Sequence, residues 1–244
     1  MEKLEPLREF HATALREHPS PRRLAIYMER LFSGVPLEGM RLLDVGGGSG
    51  TMSFYAAARG AAVVCLEPAA AGSNPRMDEM FEAYRSALGA QVDVRLERQT
   101  FQEYDPDEPF DVVLLHNSIN HLDEEACQHL HHDQAARELF RAQFRRMAAM
   151  TAPGGHLVAA DCSRLNLFGV LRVRNPFVPD IEWHIHQQPR VWAALLAESG
   201  FTNAQIRWNP MTRAGRAGEV LLANWVGAFL TTSHFTIHMQ RSTG

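Results

Sequence analysis

The 244-residue sequence is poor in cysteine, with Cys65, Cys127 and Cys162 at scattered spacing. That odd, unpatterned set excludes a disulfide framework and reads as buried thiols in a reducing compartment. An excess of positive charge is also lacking: 24 basic side chains stand against 28 acidic ones, for a net charge of −4 and a pI near 6.3. Such a balance supplies no field for gripping a phosphate backbone non-specifically. The longest apolar run, Val220 to Leu230, is interrupted by Asn224 and too short to cross a membrane. The opening residues MEKLEPLREF are charged where a signal peptide would be apolar. These absences lead us to expect a cytoplasmic protein that engages neither nucleic acid nor a membrane. What is present is ordinary for a globular chain: 45% hydrophobic residues, 21% charged, mean hydropathy −0.23. The length suffices for one domain with a full core.

Two helical patterns come first, Pro6–Glu17 and Pro21–Phe32; Leu24, Tyr27, Met28, Leu31 and Phe32 share one face of the second. Beyond Pro36 and Gly39, strand-like and helix-like segments alternate. Strands are expected at Arg41–Val45, Ala62–Leu66, Val92–Leu96, Phe110–Leu115, His156–Ala160, Thr202–Trp208 and Ser233–Gln240. Asn74 and Pro75 signal the start of a helix whose inner stripe is Met77, Met80, Phe81, Tyr84 and Leu88, ended by Gly89. Asp123, followed by Glu124 and Glu125, starts a further helix read as continuous through the stripe Leu139, Phe140, Phe144 and Met147. Pro153, Gly154 and Gly155 are read as the turn into the fifth strand. Pro189 opens a helix with Trp192, Leu195 and Leu196 inside and Gly200 at its end, and another helix is expected at about Gly218–Leu230. Alternation of this kind means an α/β sheet with helices on both faces.

The segment Asp44, Val45, Gly46, Gly47, Gly48, Ser49, Gly50 ends a strand and opens a helix. Glycines there allow backbone N–H groups to approach a ligand closely, and the helix start favours an anionic group. A phosphate P-loop requires lysine after the last glycine, where Thr51 and Met52 stand instead. The dinucleotide fingerprint requires glycine at 51 or 53, occupied by Thr51 and Ser53. The spacing that fits is D-x-G-x-G-x-G.

On that motif, with Glu67 ending the second strand, the chain from about residue 40 to 241 resembles the class I S-adenosylmethionine-dependent methyltransferases. The resemblance implies a Rossmann-like, seven-stranded, mostly parallel sheet with helices on both faces, preceded by an N-terminal helical lid over residues 1–38. It implies a methyltransferase domain over residues 39–244, with an acceptor-binding insertion at about 163–188. The implied cofactor is S-adenosyl-L-methionine, held by Asp44, Gly46, Gly48, Gly50 and Glu67, the last because a carboxylate accepts two hydrogen bonds from adjacent ribose hydroxyls. Gln99, Thr100 and Phe101 border the adenine in this picture. Many members carry an aspartate near Gln99, so the adenine amino contact is left open here. His116, Asn117 and Ser118 line the methionine end. Simple packing of the two N-terminal helices on the domain would produce the same apolar stripe as a lid.

Other features of the family narrow the acceptor. After the fourth strand stands Asn117, Ser118, Ile119, Asn120 rather than the Pro-Pro-Tyr motif of nitrogen methylation, and no cysteine nucleophile lies in that loop. His116 with Asn117 and Asp161 with Cys162 match the magnesium-holding acids of the catechol type poorly, so no metal is expected. A small-molecule acceptor methylated at oxygen follows, with a histidine as general base because imidazole titrates near neutrality. His121 is the first choice, then His184 and His186. An extended segment would put Glu182, His184 and His186 on one face and Trp183 and Ile185 on the other. Arg164, Arg172 and Arg174 are candidate anchors for an anionic group on the acceptor. His129, His131 and His132 read as a solvated helix face. Methylation at carbon or nitrogen, a peptide acceptor and a non-catalytic binding subunit are the alternatives, and the oligomeric state is open.

Overall fold

A computed structural model describes residues 5–17, 21–68, 76–209 and 221–243. The chain divides into two compact units, the first ending at His116 and the second beginning at Asn117.

The first unit contains α1 (Glu5–Glu17), α2 (Pro21–Leu31), β1 (Arg41–Val45), α3 (Thr51–Ala58), β2 (Ala62–Leu66), α4 (Arg76–Leu88), β3 (Asp93–Glu97) and β4 (Phe110–His116). All its strand pairs are parallel: Leu43 of β1 lies between Val64 of β2 and Val113 of β4, and Val64 is followed outward by Arg95 of β3. Central strands buried on both faces require continuous apolar runs, and Val112 to Leu115 of β4 are fully buried. β3 shows the half-exposed pattern of an edge. Helix α3 is buried from Met52 through Ala58. Around it an aromatic cluster forms: Phe54 meets Phe81 edge-on at 4.9 Å, and Phe10 stacks on Tyr84 at 5.3 Å and meets Tyr55 edge-on at 5.7 Å. Phe10 is completely buried there, a contribution of about 1.5–3 kcal/mol from area alone. α1 is therefore packed into the core of this unit. On α2, Met28, Leu31 and Phe32 are buried, while Leu24 and Tyr27 are half-buried. On α4, Phe81, Tyr84 and Leu88 are buried as expected; Asn74 and Pro75 lie outside the described residues.

The second unit contains α5 (Glu124–His129), α6 (Gln134–Met150), β5 (Thr151–Cys162), α7 (Leu167–Leu171), α8 (Pro189–Ala197), β6 (Phe201–Trp208), α9 (Trp225–Phe229) and β7 (His234–Arg241). β7 runs antiparallel between β5 and β6, its Ile237 opposite Ala159 and Ile206. The seven strands have the sheet order β3-β2-β1-β4-β5-β7-β6, the Rossmann-like arrangement. Among the described residues no helix is long and apolar enough to cross a membrane.

Three expectations are corrected. The single helix after Asp123 is two, because Asp133 accepts a hydrogen bond from Ala135 N–H at 2.8 Å and caps a new start. Leu139 is consequently 37% exposed and not part of the inner stripe. The fifth strand begins at Thr151 with no intervening turn, and Pro153 to Gly155 lie within it. The Thr151 hydroxyl donates to Met147 O at 2.8 Å and Arg241 Nε to Ala148 O at 2.9 Å, satisfying the last carbonyls of α6 where it stops. Of the helix expected at 218–230, residues 221–222 and Trp225–Phe229 are helical with a break at 223–224 between them, and residues 218–220 lie outside the described residues.

Candidate active site

The glycine turn of the first unit connects β1 to α3, and the backbone requires its composition. Gly46 and Gly50 have φ of 70° and 74°, the left-handed region that side chains avoid. A Cβ on Gly47 would sit 2.5 Å from Cys65 Sγ and 2.9 Å from Asp44 Oδ2, so the loop packs directly on the strands beneath it. Gly46 N–H donates to Leu66 O at 2.8 Å, which ties the turn to the end of β2. Immediately beyond, Gly48 N–H donates to Glu67 Oε2 at 2.9 Å. One short network thus holds the turn, with Gly46 and Gly48, against the carboxylate that the resemblance assigns to the ribose.

Asp44 is fully buried, and the Ser53 hydroxyl donates to its Oδ2 at 2.7 Å. Its Oδ1 is buried with no hydrogen-bond partner among the described residues. Burial pushes the carboxyl pKa up to about 6, against the lowering effect of the Ser53 bond and with a further push from the charge of Glu67. A buried, incompletely satisfied acid beneath a glycine cradle fits a ligand that brings a cationic donor, as the amino acid end of S-adenosyl-L-methionine does.

After β3 the adenine candidates diverge. Gln99 is exposed, and Thr100 donates both its N–H and its hydroxyl to Glu103 Oε2, at 3.1 and 2.7 Å, closing a turn. Phe101 is buried. At the end of β4, the His116 ring packs against Tyr27 of α2 at 5.6 Å, and loss of hydration lowers its pKa to about 4, so the ring is neutral at physiological pH.

In the second unit Asn117 is exposed, with a left-handed φ of 54°, and its N–H donates to Ala160 O at 2.8 Å. Ser118 is buried and its carbonyl accepts from His121 N–H. His121 itself is exposed, and its Nδ1 lies 2.5 Å from Glu124 Oε1, an exposed pair at the start of α5. Between these residues, Asn120 is fully buried with neither end of its amide hydrogen-bonded among the described residues. Nothing in the sequence distinguished it from the polar residues around it. An unsatisfied buried amide costs stability, so Asn120→Ala should leave the melting temperature unchanged or higher, yet lower methyl transfer if a ligand completes the site. Thermal unfolding beside turnover tests this, and a large loss of stability would instead mark Asn120 as structural.

The segment 182–187 is not extended. Trp183–Ile185 form a turn of 3₁₀ helix, which puts His184 on the surface and Ile185 inside, so the expected alternation fails. His186, just past that turn, points inward. Its Nδ1 lies 3.0 Å from Asp161 Oδ1, with the two side chains 12% and 1% exposed. The same oxygen accepts Cys162 N–H at 2.7 Å, and Oδ2 is buried without a partner among the described residues. Next to it, Gln187 donates to Cys127 O and the Cys127 thiol donates to Ile185 O, pinning the segment to α5. Of the three candidate histidines, His186 is the one oriented by a buried carboxylate; pairing Asp161 with it needed two distant segments to meet. Of the arginines, Arg174 faces Asp180 at 3.3 Å on the surface and Arg172 is exposed. His129, His131 and His132 are all exposed, and among the described residues no three metal-binding side chains converge.

Comparison with known proteins identifies the family. The methyltransferase domain family matches residues 16–206. The ubiquinone biosynthesis O-methyltransferase of Paramagnetospirillum magneticum is 27% identical over 201 residues, covering 78% of this chain and 72% of that protein. Among solved structures, an S-adenosylmethionine-dependent methyltransferase from Mesorhizobium loti matches with a TM-score of 0.57 at 18% identity, over 88% of this chain and 96% of the other. The N-methyltransferase NodS of Bradyrhizobium japonicum, in complex with S-adenosyl-l-homocysteine, matches with a TM-score of 0.58 at 14% identity over 98% of both chains.

Proposed function

Given that the chain belongs to the methyltransferase domain family and is an S-adenosylmethionine-dependent enzyme, we propose that it methylates a hydroxyl oxygen of a small molecule, with His186 as general base. The observation that carries this is the His186–Asp161 pair. A buried carboxylate on Nδ1 fixes the imidazole tautomer and leaves Nε2 to accept a proton. The 27% identical relative acts at oxygen by name, which supports the same choice. His121, committed to Glu124 on the surface, is the weaker candidate, as is exposed His184.

When bound, the cofactor would supply an electrophilic methyl group on a sulfonium, with the neutral thioether as the leaving group when the acceptor oxygen is methylated. The chain's task is to hold both reactants and take one proton. In this reading Glu67 holds the ribose hydroxyls, the turn from Gly46 to Gly50 admits the cofactor against its backbone, and Asp44 serves the cationic amino group. Thr100, Phe101, Asn117 and Ser118 are proposed as the remaining contacts. His186 Nε2 takes the proton of the acceptor hydroxyl and returns it to solvent, while Asp161 stabilises the imidazolium. Incubating the protein with methyl-labelled S-adenosylmethionine and a panel of hydroxylated, aminated and carbon-nucleophile acceptors tests the reading. Label in methyl ethers supports it, and label found only in esters, on nitrogen or on carbon overturns it. Separately, Glu67→Ala should weaken S-adenosylhomocysteine binding at least about tenfold by calorimetry, since two charge-assisted hydrogen bonds are lost.

A further inference from the structure

The second unit contains a cavity of about 450 Å³, within the roughly 300–1,000 Å³ of small-molecule sites. Its apolar walls are three aromatic side chains, Trp208 at the end of β6 with Trp225 and Phe229 from α9, together with Leu165, Pro189 and Ile206. Three polar residues, Ser163, Gln188 and Arg190, complete it.

Two of those residues tie the cavity to the His186–Asp161 pair. Ser163 follows Asp161 by two positions at the end of β5, and Gln188 follows His186 by two positions in extended backbone. Residues two apart in an extended chain face the same side. Gln187, between His186 and Gln188, turns the opposite way to Cys127. The pair and the cavity wall therefore share a side.

The wall is also built to stay in place. Trp208 packs edge-on against Phe235 at 6.1 Å. Buried Asn166 donates to Phe229 O at 3.2 Å and to Thr231 O at 2.9 Å, and Asn175 donates to Thr231 O at 2.8 Å. These bonds fasten the C-terminal turn of α9 to the insertion after β5, the kind of support a preorganised site needs. Arg190, by contrast, is exposed at the cavity and has no carboxylate partner among the described residues. It stands in the first turn of α8, where the helix end adds to its positive potential. Aromatic side chains beside an exposed guanidinium suit a flat, anionic ligand, because indole faces stack on rings and guanidinium binds carboxylate in two bonds.

Resting on the oxygen-methylation reading above, we propose that this cavity is the acceptor pocket and that its ligand is an aromatic ring system carrying a carboxylate and a ring hydroxyl. The rings lie against Trp208 and Trp225, the carboxylate on Arg190, and the hydroxyl toward His186. The probes are 1-hydroxy-2-naphthoate and 1-naphthol, which share the rings and hydroxyl and differ in the carboxylate, titrated by quenching of tryptophan fluorescence. Hydroxynaphthoate should bind at least tenfold tighter than naphthol. Arg190→Ala should erase that difference, and Trp225→Ala should weaken both ligands fivefold or more. Affinity for S-adenosylhomocysteine should hold in every variant, showing that the fold is intact. Equal affinities for the two probes, indifference to both substitutions, or absence of saturable quenching at millimolar ligand would overturn the pocket. Binding that follows the expected pattern with no label reaching oxygen would keep the pocket and overturn the oxygen reading. Transfer to hydroxylated acceptors that ignores Trp225→Ala would do the reverse.

Discussion

His186→Ala is expected to lower the methyl-transfer rate by about 10²–10⁴-fold, the usual worth of a positioned general base, while leaving cofactor affinity unchanged. The expectation follows from the burial of the pair: Asp161 is 1% exposed and its Oδ1 is already occupied by Cys162 N–H and His186 Nδ1. A carboxylate so enclosed can hold the ring in one orientation. Asp161→Asn should lower the rate in the same direction, since an amide can hold the wrong imidazole tautomer. Added imidazole should restore part of the activity of His186→Ala, which a purely structural role would not allow. Rapid-quench measurement of labelled product at saturating cofactor reads the effect. A loss below about threefold would remove His186 from the chemistry and return attention to His121.

Asp44→Asn should separate stability from binding. In the folded chain burial raises the Asp44 pKa from 3.8 to about 6. An acid raised on folding binds its proton more tightly in the folded state, so its ionisation opposes folding at high pH. Above pH 6 the folded state carries the full cost of the buried charge, about 3 kcal/mol. As pH falls from 6 to 3.8 the folded protein takes up the proton first and the cost disappears. Asparagine can still accept the Ser53 hydroxyl and carries no charge. The variant should therefore melt roughly 5–10 °C higher than the parent at pH 8, with the gain vanishing near pH 4. Its affinity for S-adenosylhomocysteine should fall steeply, because the cationic end of the ligand loses its counter-charge. A scan of melting temperature against pH, paired with calorimetry, tests both halves. A variant less stable than the parent at pH 8 would show that the buried carboxylate supports the fold. If the expectation holds, an acid is retained at a cost to stability because binding requires it, the trade-off common at functional sites.

How far each feature could be read from the sequence depends on the range of the forces that set it. The strands Arg41–Val45, Ala62–Leu66 and Phe110–His116 were legible because parallel strands buried on both faces need unbroken apolar runs. The helix start at Asp123 was legible from a local side-chain bond to Ala126 N–H. The second start at Asp133 was not: the stripe Leu139, Phe140, Phe144 and Met147 lies beyond it, and such a period says nothing about where its helix begins. The segment 182–186 failed for a similar reason. Alternating polar and apolar residues fit a strand, yet the chain forms a 3₁₀ turn because Ile185 is drawn inside and its carbonyl accepts the Cys127 thiol, 58 positions away.

The sequence by itself determined the α/β class and the order of its strands, and it brought Asp44, the glycines and Glu67 onto one turn and the strand end beside it. Backbone dihedrals and short spacings encode such features directly. Tertiary structure alone decided which histidine meets a buried carboxylate, that Asp161 is its partner, that the Asn120 amide is buried without a partner among the described residues, and that Arg190 borders the cavity. Those facts depend on segments far apart in the chain meeting with particular side chains buried, and no local pattern of residues records which buried groups will find each other.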